Sequence, residues 1–188
     1  MKLVVGLGNP GRRYENTRHN VGYLVLDELG RRFGVGAPKT KFHAAVLDAS
    51  LSGQPALLVR PETYMNLSGT SVHEVQTFYK VPLEDLLVVC DDLNLPLGRL
   101  RCRTEGSSGG QKGLEDIIRR LGADAIPRLR IGIGQPASDG EWVDFVLSKF
   151  TRQEMPEIEE AIGRAADAVA DWAKHGIQYC MNHYNKGC

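Results

Sequence analysis

The chain has no apolar run approaching the roughly 20 residues that a bilayer-spanning helix needs. Its opening residues, Met1-Lys2-Leu3-Val4-Val5-Gly6, are too short an apolar stretch for a secretory signal. Its four cysteines, Cys90, Cys102, Cys180 and Cys188, form no Cys-x-x-Cys pair. They read as reduced thiols of a cytoplasmic protein, not as a zinc ribbon or a disulfide framework. Net charge is absent too, with 23 basic against 23 acidic side chains, which argues against a general nucleic-acid coat. Internal repeats and low-complexity tracts are missing. No G-x-x-x-x-G-K-S/T loop occurs, and Gly6 to Gly11, although it has the glycine spacing of a dinucleotide fingerprint, carries Pro10 within it, so nucleotide binding is not expected. Ser107 and Ser108 lie in the glycine-rich loop Gly106 to Gly113, and no serine is read as a nucleophile.

What remains is an ordinary globular composition over 188 residues, the length of one compact domain spanning 1–188. Strand and helix patterns alternate along it. Lys2 to Val5 and Leu86 to Cys90 read as buried strands. Ala44 to Leu51 and Pro55 to Val59 form a hairpin about Ser52-Gly53-Gln54. Arg99 to Arg103 alternates, Arg128 to Gly134 is a further strand, and Trp142 to Leu147 is read as a short one. Helical spacing follows Val21 up to Gly34, Val72 up to Pro82, and Leu114 up to Gly122. Thr151-Arg152-Gln153-Glu154 is a capping box for a long helix to His175. The expected fold is α/β: a single domain with a mixed, largely parallel twisted sheet flanked by helices.

Three polar loops follow strands or precede helices: Gly6 to Asn20, Arg60 to Gly69, and Asp91-Asp92. Should they converge, Asp91 would fix the tautomer of His19 and leave its second nitrogen free as a base. Asn9 and Asn66 would then supply amides for a carbonyl or an oxyanion. Each feature also has a plainer reading: a glycine-rich turn with a solvated histidine, core packing for Tyr64-Met65, or a cation held by Asp91-Asp92. Charge is uneven along the chain. Eight basic residues face four acidic ones between Arg99 and Arg130, whereas Glu154 to Asp171 carries six acids and one arginine. A neutral chain with such a basic segment can hold a few phosphates at one place.

Five blocks, in order, resemble the signatures of bacterial peptidyl-tRNA hydrolases: Gly6-Leu7-Gly8-Asn9-Pro10-Gly11, Thr17-Arg18-His19-Asn20, Thr63 to Gly69, Asp91 to Pro96, and Arg128 to Gly134. The resemblance implies hydrolysis of the ester between a peptide and the 3′ end of tRNA. It casts His19 as the base that activates water, Asp91 as the residue that orients it, and Asn9 as the group that binds the peptide. Tyr14, Tyr64, Asn66 and Lys112 fall at substrate-contacting positions, and Arg103 and Arg130 at those that clamp the 5′-phosphate. It implies no metal and no cofactor, a cytoplasmic monomer without an obligate protein partner, and peptidyl-tRNA, through its acceptor stem and 3′ end, as the partner. One block departs: many members carry His-Asn where this chain has Gln111-Lys112. A lysine can reach a phosphate or carbonyl but cannot copy an amide's donor and acceptor. The alternative reading is a non-catalytic, RNA-binding paralogue of splicing-factor type.

Overall fold

The computed structural model describes residues 1–138 and 140–186. Its centre is a seven-stranded sheet in the order β2-β3-β4-β1-β5-β7-β6. The strands are β1 (Lys2–Gly6), β2 (Gly34–Lys41), β3 (Ala44–Leu51), β4 (Gln54–Pro61), β5 (Leu86–Asp92), β6 (Leu100–Arg103) and β7 (Arg128–Gly132). The middle strands β4, β1, β5 and β7 pair in parallel, and β2, β3 and β6 run antiparallel to their neighbours. The expected mixed sheet with a parallel centre is therefore present. The hairpin is too, turning at Ser52 and Gly53 in left-handed backbone.

Seven residues of β5 are buried in succession, because helices cover both faces of the sheet. On one face lie α1 (Val21–Phe33), α5 (Met155–His175) and α6 (Ile177–Tyr184), packing Val25, Leu29, Ile158, Val169 and Trp172 onto Val4, Leu87 and Val89. On the other lie α2 (Ser68–Tyr79) and α3 (Lys112–Leu121), packing Val72, Val75, Leu114 and Ile117 onto Leu3, Val5 and Val88. Buried Asp116 of α3 accepts the Gly69 N–H at 2.8 Å and so joins the two helices of that face. Strand β1 lies between β4 and β5, and α1 and α2 depart to opposite faces. A crevice opens there beyond the carboxyl ends of the strands, the usual place for a ligand in such sheets.

One local expectation needs revision, and two elements lie outside the sequence reading. Trp142 to Leu147 is not a strand: Trp142–Val146 forms a helix, α4, since its apolar residues recur at helical rather than alternating spacing. The chain from Gly34 to Lys41 forms β2, an edge strand whose eight residues are all exposed. With no buried face it shows no alternation, and its pairing is irregular across Gly36-Ala37-Pro38, where proline lacks an N–H. Finally, a second helix, α6, follows α5 after Gly176, which adopts φ 82°. The Thr151–Glu154 box does form, at 2.7 and 3.3 Å, but as a turn just ahead of α5.

Helix α1 crosses the sheet closely at Gly22. A methyl there would lie 2.5 Å from the Leu7 nitrogen and 2.6 Å from the Val89 oxygen, both backbone. Gly22→Ala should therefore cost about 2 kcal/mol or more by overpacking, read as a lower urea midpoint at unchanged slope.

Candidate active site

Three loops meet at the crevice, although their residues are far apart in sequence. The loop after β1 brings Asn9 and His19, the loop after β4 brings Tyr64, Met65 and Asn66, and β5 ends in Asp91 and Asp92. They line an open cleft of about 630 Å³ together with Gln111, Lys112 and Arg130. Leu93, Trp142, Val143, Val146 and Leu147 form an apolar wall on one side, most of it supplied by α4 and the residue after it.

At the cleft floor His19 Nδ1 stands 2.8 Å from Asp91 Oδ2. Asp91 is 3% exposed and His19 side chain 13%. An ionised carboxylate can only accept, so Nδ1 carries the proton and Nε2 of the neutral ring keeps its lone pair at the cleft. The other Asp91 oxygen accepts from Gln111 Nε2 at 3.0 Å, while Gln111 Oε1 accepts the Leu114 N–H at 2.7 Å and caps α3. Gln111 thus anchors the carboxylate to a helix start. Its role was not evident from the sequence; the available signal was an amide side chain immediately before a helical pattern.

Asn9 is fixed from two sides. Its backbone N–H and C=O both bond the side chain of Asn20, at 2.8 and 2.9 Å. Its Oδ1 accepts the Met65 N–H at 2.7 Å, which fixes the amide's orientation and leaves the Nδ2 hydrogens without a partner among the described residues. Among the described residues no serine or cysteine lines the cleft with His19. Ser68 is buried and donates to the Met65 carbonyl at 2.8 Å. The fully buried Cys90 thiol is pushed up to about 12 by its burial. Among the described residues no three His, Cys, Asp or Glu side chains gather as a metal set. The three described cysteines are free, and Cys188 lies outside the described residues.

The remaining candidates are spread more widely. Tyr64 is exposed at the cleft, and Asn66 is exposed beside it. Lys112 reaches the rim, where it pairs with Glu115 at 3.0 Å in water. Arg130 lies at the cleft edge, its Nε 3.1 Å from Asp92 Oδ2 and its Nη2 bonded to the Ser108 carbonyl at 3.3 Å. Tyr14, half-buried under the Arg13 guanidinium, does not line the cleft. Neither does Arg103, which is exposed on β6.

Arg18 carries a further role that sequence reading did not resolve. It is 4% exposed, forks onto Glu154 at 2.7 and 3.0 Å, bonds the Ile133 carbonyl at 3.0 Å and Ser148 Oγ at 3.2 Å, and lies over the rings of Phe145 and Phe150. The residue before His19 is thereby bolted to α4 and to the start of α5.

A family model described as peptidyl-tRNA hydrolase matches residues 3–188. The chain belongs to the peptidyl-tRNA hydrolase family. It is similar to the peptidyl-tRNA hydrolase of Rhodopirellula baltica, 51% identical over 185 residues that cover 98% of this chain and 97% of that one. The peptidyl-tRNA hydrolase of Carboxydothermus hydrogenoformans is 48% identical over 187 residues and is covered completely. A crystal structure of peptidyl-tRNA hydrolase from Acinetobacter baumannii superposes with a TM-score of 0.92 at 35% identity, over 98% of this chain and 94% of that one. In this chain the Arg18–Glu154 bolt beside the cleft depends on pH. Burial alone would raise the Glu154 carboxyl, but the Arg18 fork and the Thr151 N–H outweigh it and hold it below its ordinary 4.5. A carboxyl lowered in the folded state contributes stability that is complete above 4.5 and lost as pH falls through the lowered value. Glu154→Gln should therefore lower the melting temperature at pH 7, and the difference from wild type should shrink as melts are repeated below pH 4.5.

Proposed function

We propose that this chain hydrolyses the ester joining a peptide, or an N-blocked aminoacyl group, to the 3′ end of tRNA, with His19 as general base on water. The observation that carries the reading is the 2.8 Å His19–Asp91 contact, which leaves Nε2 for the cleft, where no serine or cysteine stands among the described lining residues. A water bonded to Nε2 gives up its proton as its oxygen adds to the ester carbonyl. Asp91 steadies the imidazolium so formed. The tetrahedral oxyanion lies within reach of the Asn9 Nδ2 donors, whose orientation is set by the Met65 N–H. Collapse expels the ribose oxygen, which takes the proton back from His19, leaving free tRNA and the peptide acid. The base is then restored.

Tyr64, Asn66 and Lys112 would meet the 3′ end and peptide at the rim, with Tyr14 beyond the cleft toward the tRNA. Arg103 and Arg130 would hold the 5′-phosphate, a task that needs two forked donors and not a basic protein. The reading includes a cytoplasmic monomer without metal or cofactor. A purely RNA-binding relative would have no use for a base held by a buried carboxylate.

Release of an N-acetyl-aminoacyl group from tRNA, with EDTA present, tests the reading. Wild type should turn over, and His19→Ala should lose about 10³-fold or more in kcat while still binding tRNA. Full activity in the variant would remove His19 from the mechanism. Arg103→Ala should weaken tRNA binding most at low salt and flatten the salt dependence by about one unit of slope. An unchanged slope would exclude Arg103 from the phosphate.

A further inference from the structure

Strand β6 is the outermost strand of its side of the sheet and pairs only with β7, placing Arg101 opposite Arg130 and Arg103 opposite Arg128. An edge of this kind ordinarily leaves N–H and C=O groups open. At Cys102 a single side chain takes both. The Cys102 N–H donates to Asn185 Oδ1 at 2.6 Å, and Asn185 Nδ2 donates to the Cys102 carbonyl at 3.0 Å. One primary amide thus copies a strand residue. A second tie runs from Arg99 Nη2 to the Asn185 carbonyl at 3.0 Å. A third lies beneath: the Cys102 side chain enters the core shared with Cys180 of α6, and contact with that thiol, with burial, pushes Cys102 above its usual range.

Two of these ties end on Cys102, the residue between Arg101 and Arg103, and the other holds Arg99 just ahead of β6. Both of those arginines are exposed, and neither is ion-paired among the described residues. A guanidinium without a partner is only as well placed as its backbone. Arg128 differs: it is 1% exposed and donates to the carbonyls of Ile126, Gly106 and Asp124. Pairing with β7 holds one edge of β6 and Asn185 holds the other, so the carboxyl-terminal segment shares in setting where Arg103 stands relative to Arg130.

We infer that Asn185 is a positioning residue for phosphate recognition, fixing β6 so that Arg103, with Arg101 beside it, meets the 5′-phosphate in register with Arg130. The inference rests on the reading of Arg103 and Arg130 as phosphate ligands. The test compares kcat and KM on N-acetyl-aminoacyl-tRNA bearing either a 5′-phosphate or a 5′-hydroxyl. Asn185→Ala should raise KM for the phosphorylated substrate by about threefold, the scale of one loosened exposed ion pair. Its kcat, and KM for the 5′-hydroxyl substrate, should stay as in wild type. Asn185→Asp, which keeps the acceptor and loses the donor, should fall between. The ratio of the two specificities does not depend on the fraction of folded enzyme, so a destabilised variant still answers. Equal KM changes on both substrates, or a fall in kcat alone, would overturn the inference and leave Asn185 merely structural. Arg103→Ala is run in parallel. If it abolishes the preference for phosphate while Asn185→Ala retains it in full, the positioning role alone fails. If wild type shows no preference, the phosphate reading fails and the positioning role falls with it.

Discussion

Asp91 ends a strand that is buried along its whole length, and an ionised carboxylate in such a place costs several kcal/mol unless both oxygens are bonded. His19 takes one oxygen and Gln111 the other. Those partners come from the loop before α1 and from the start of α3, helices that pack on opposite faces of the sheet. The carboxylate therefore joins the layers of the fold at the point where the proposed chemistry needs one tautomer of one imidazole. Loosening any of the three groups leaves a buried polar atom without a partner, which is why the arrangement is stiff.

A second constraint is the buried Arg18. Its guanidinium is satisfied by a carboxylate, a carbonyl, a hydroxyl and two ring faces. The same segments also meet the loop of His19 through a Thr17–Lys149 bridge and a bond from the Arg18 N–H to the Ser148 carbonyl at 2.9 Å. The apolar wall of the cleft and the base at its floor are in this way one unit. Asn20 does the same for Asn9 by pairing with its backbone like a strand neighbour.

The arginines account for how an electrically neutral chain would present the proposed phosphate site. Arg18, Arg99 and Arg128 spend their donors on the protein's own carbonyls and carboxylates, and Arg130 is partly held by Asp92. Arg101 and Arg103 are left to solvent on one face of β6. Local charge, and not net charge, is what an incoming phosphate meets.

Patterns that repeat over a few residues were legible without the fold. The buried runs of β1 and β5, the hairpin, the stripe of α3 and the stop at Gly122 follow from side-chain periodicity and from glycine's access to left-handed backbone, both local properties. Elements with no buried face or only one turn of pattern were not: β2 lies bare at an edge, and α4 is too short to separate helix from strand by eye. For the site, the sequence by itself determined which chemistries are present, a histidine, a carboxylate, amides and arginines on loops between strands and helices. Only the tertiary structure decided which of their atoms remain free. Residues 19 and 91 are brought together by the parallel pairing of β1 with β5. That Asn9 is oriented with its donors free, that Gln111 holds Asp91, and that Arg128 is internal while Arg103 is not, all depend on partners many residues away. Hydrogen-bond donors and acceptors are exhausted by neighbours in space, and spatial neighbours are set by packing.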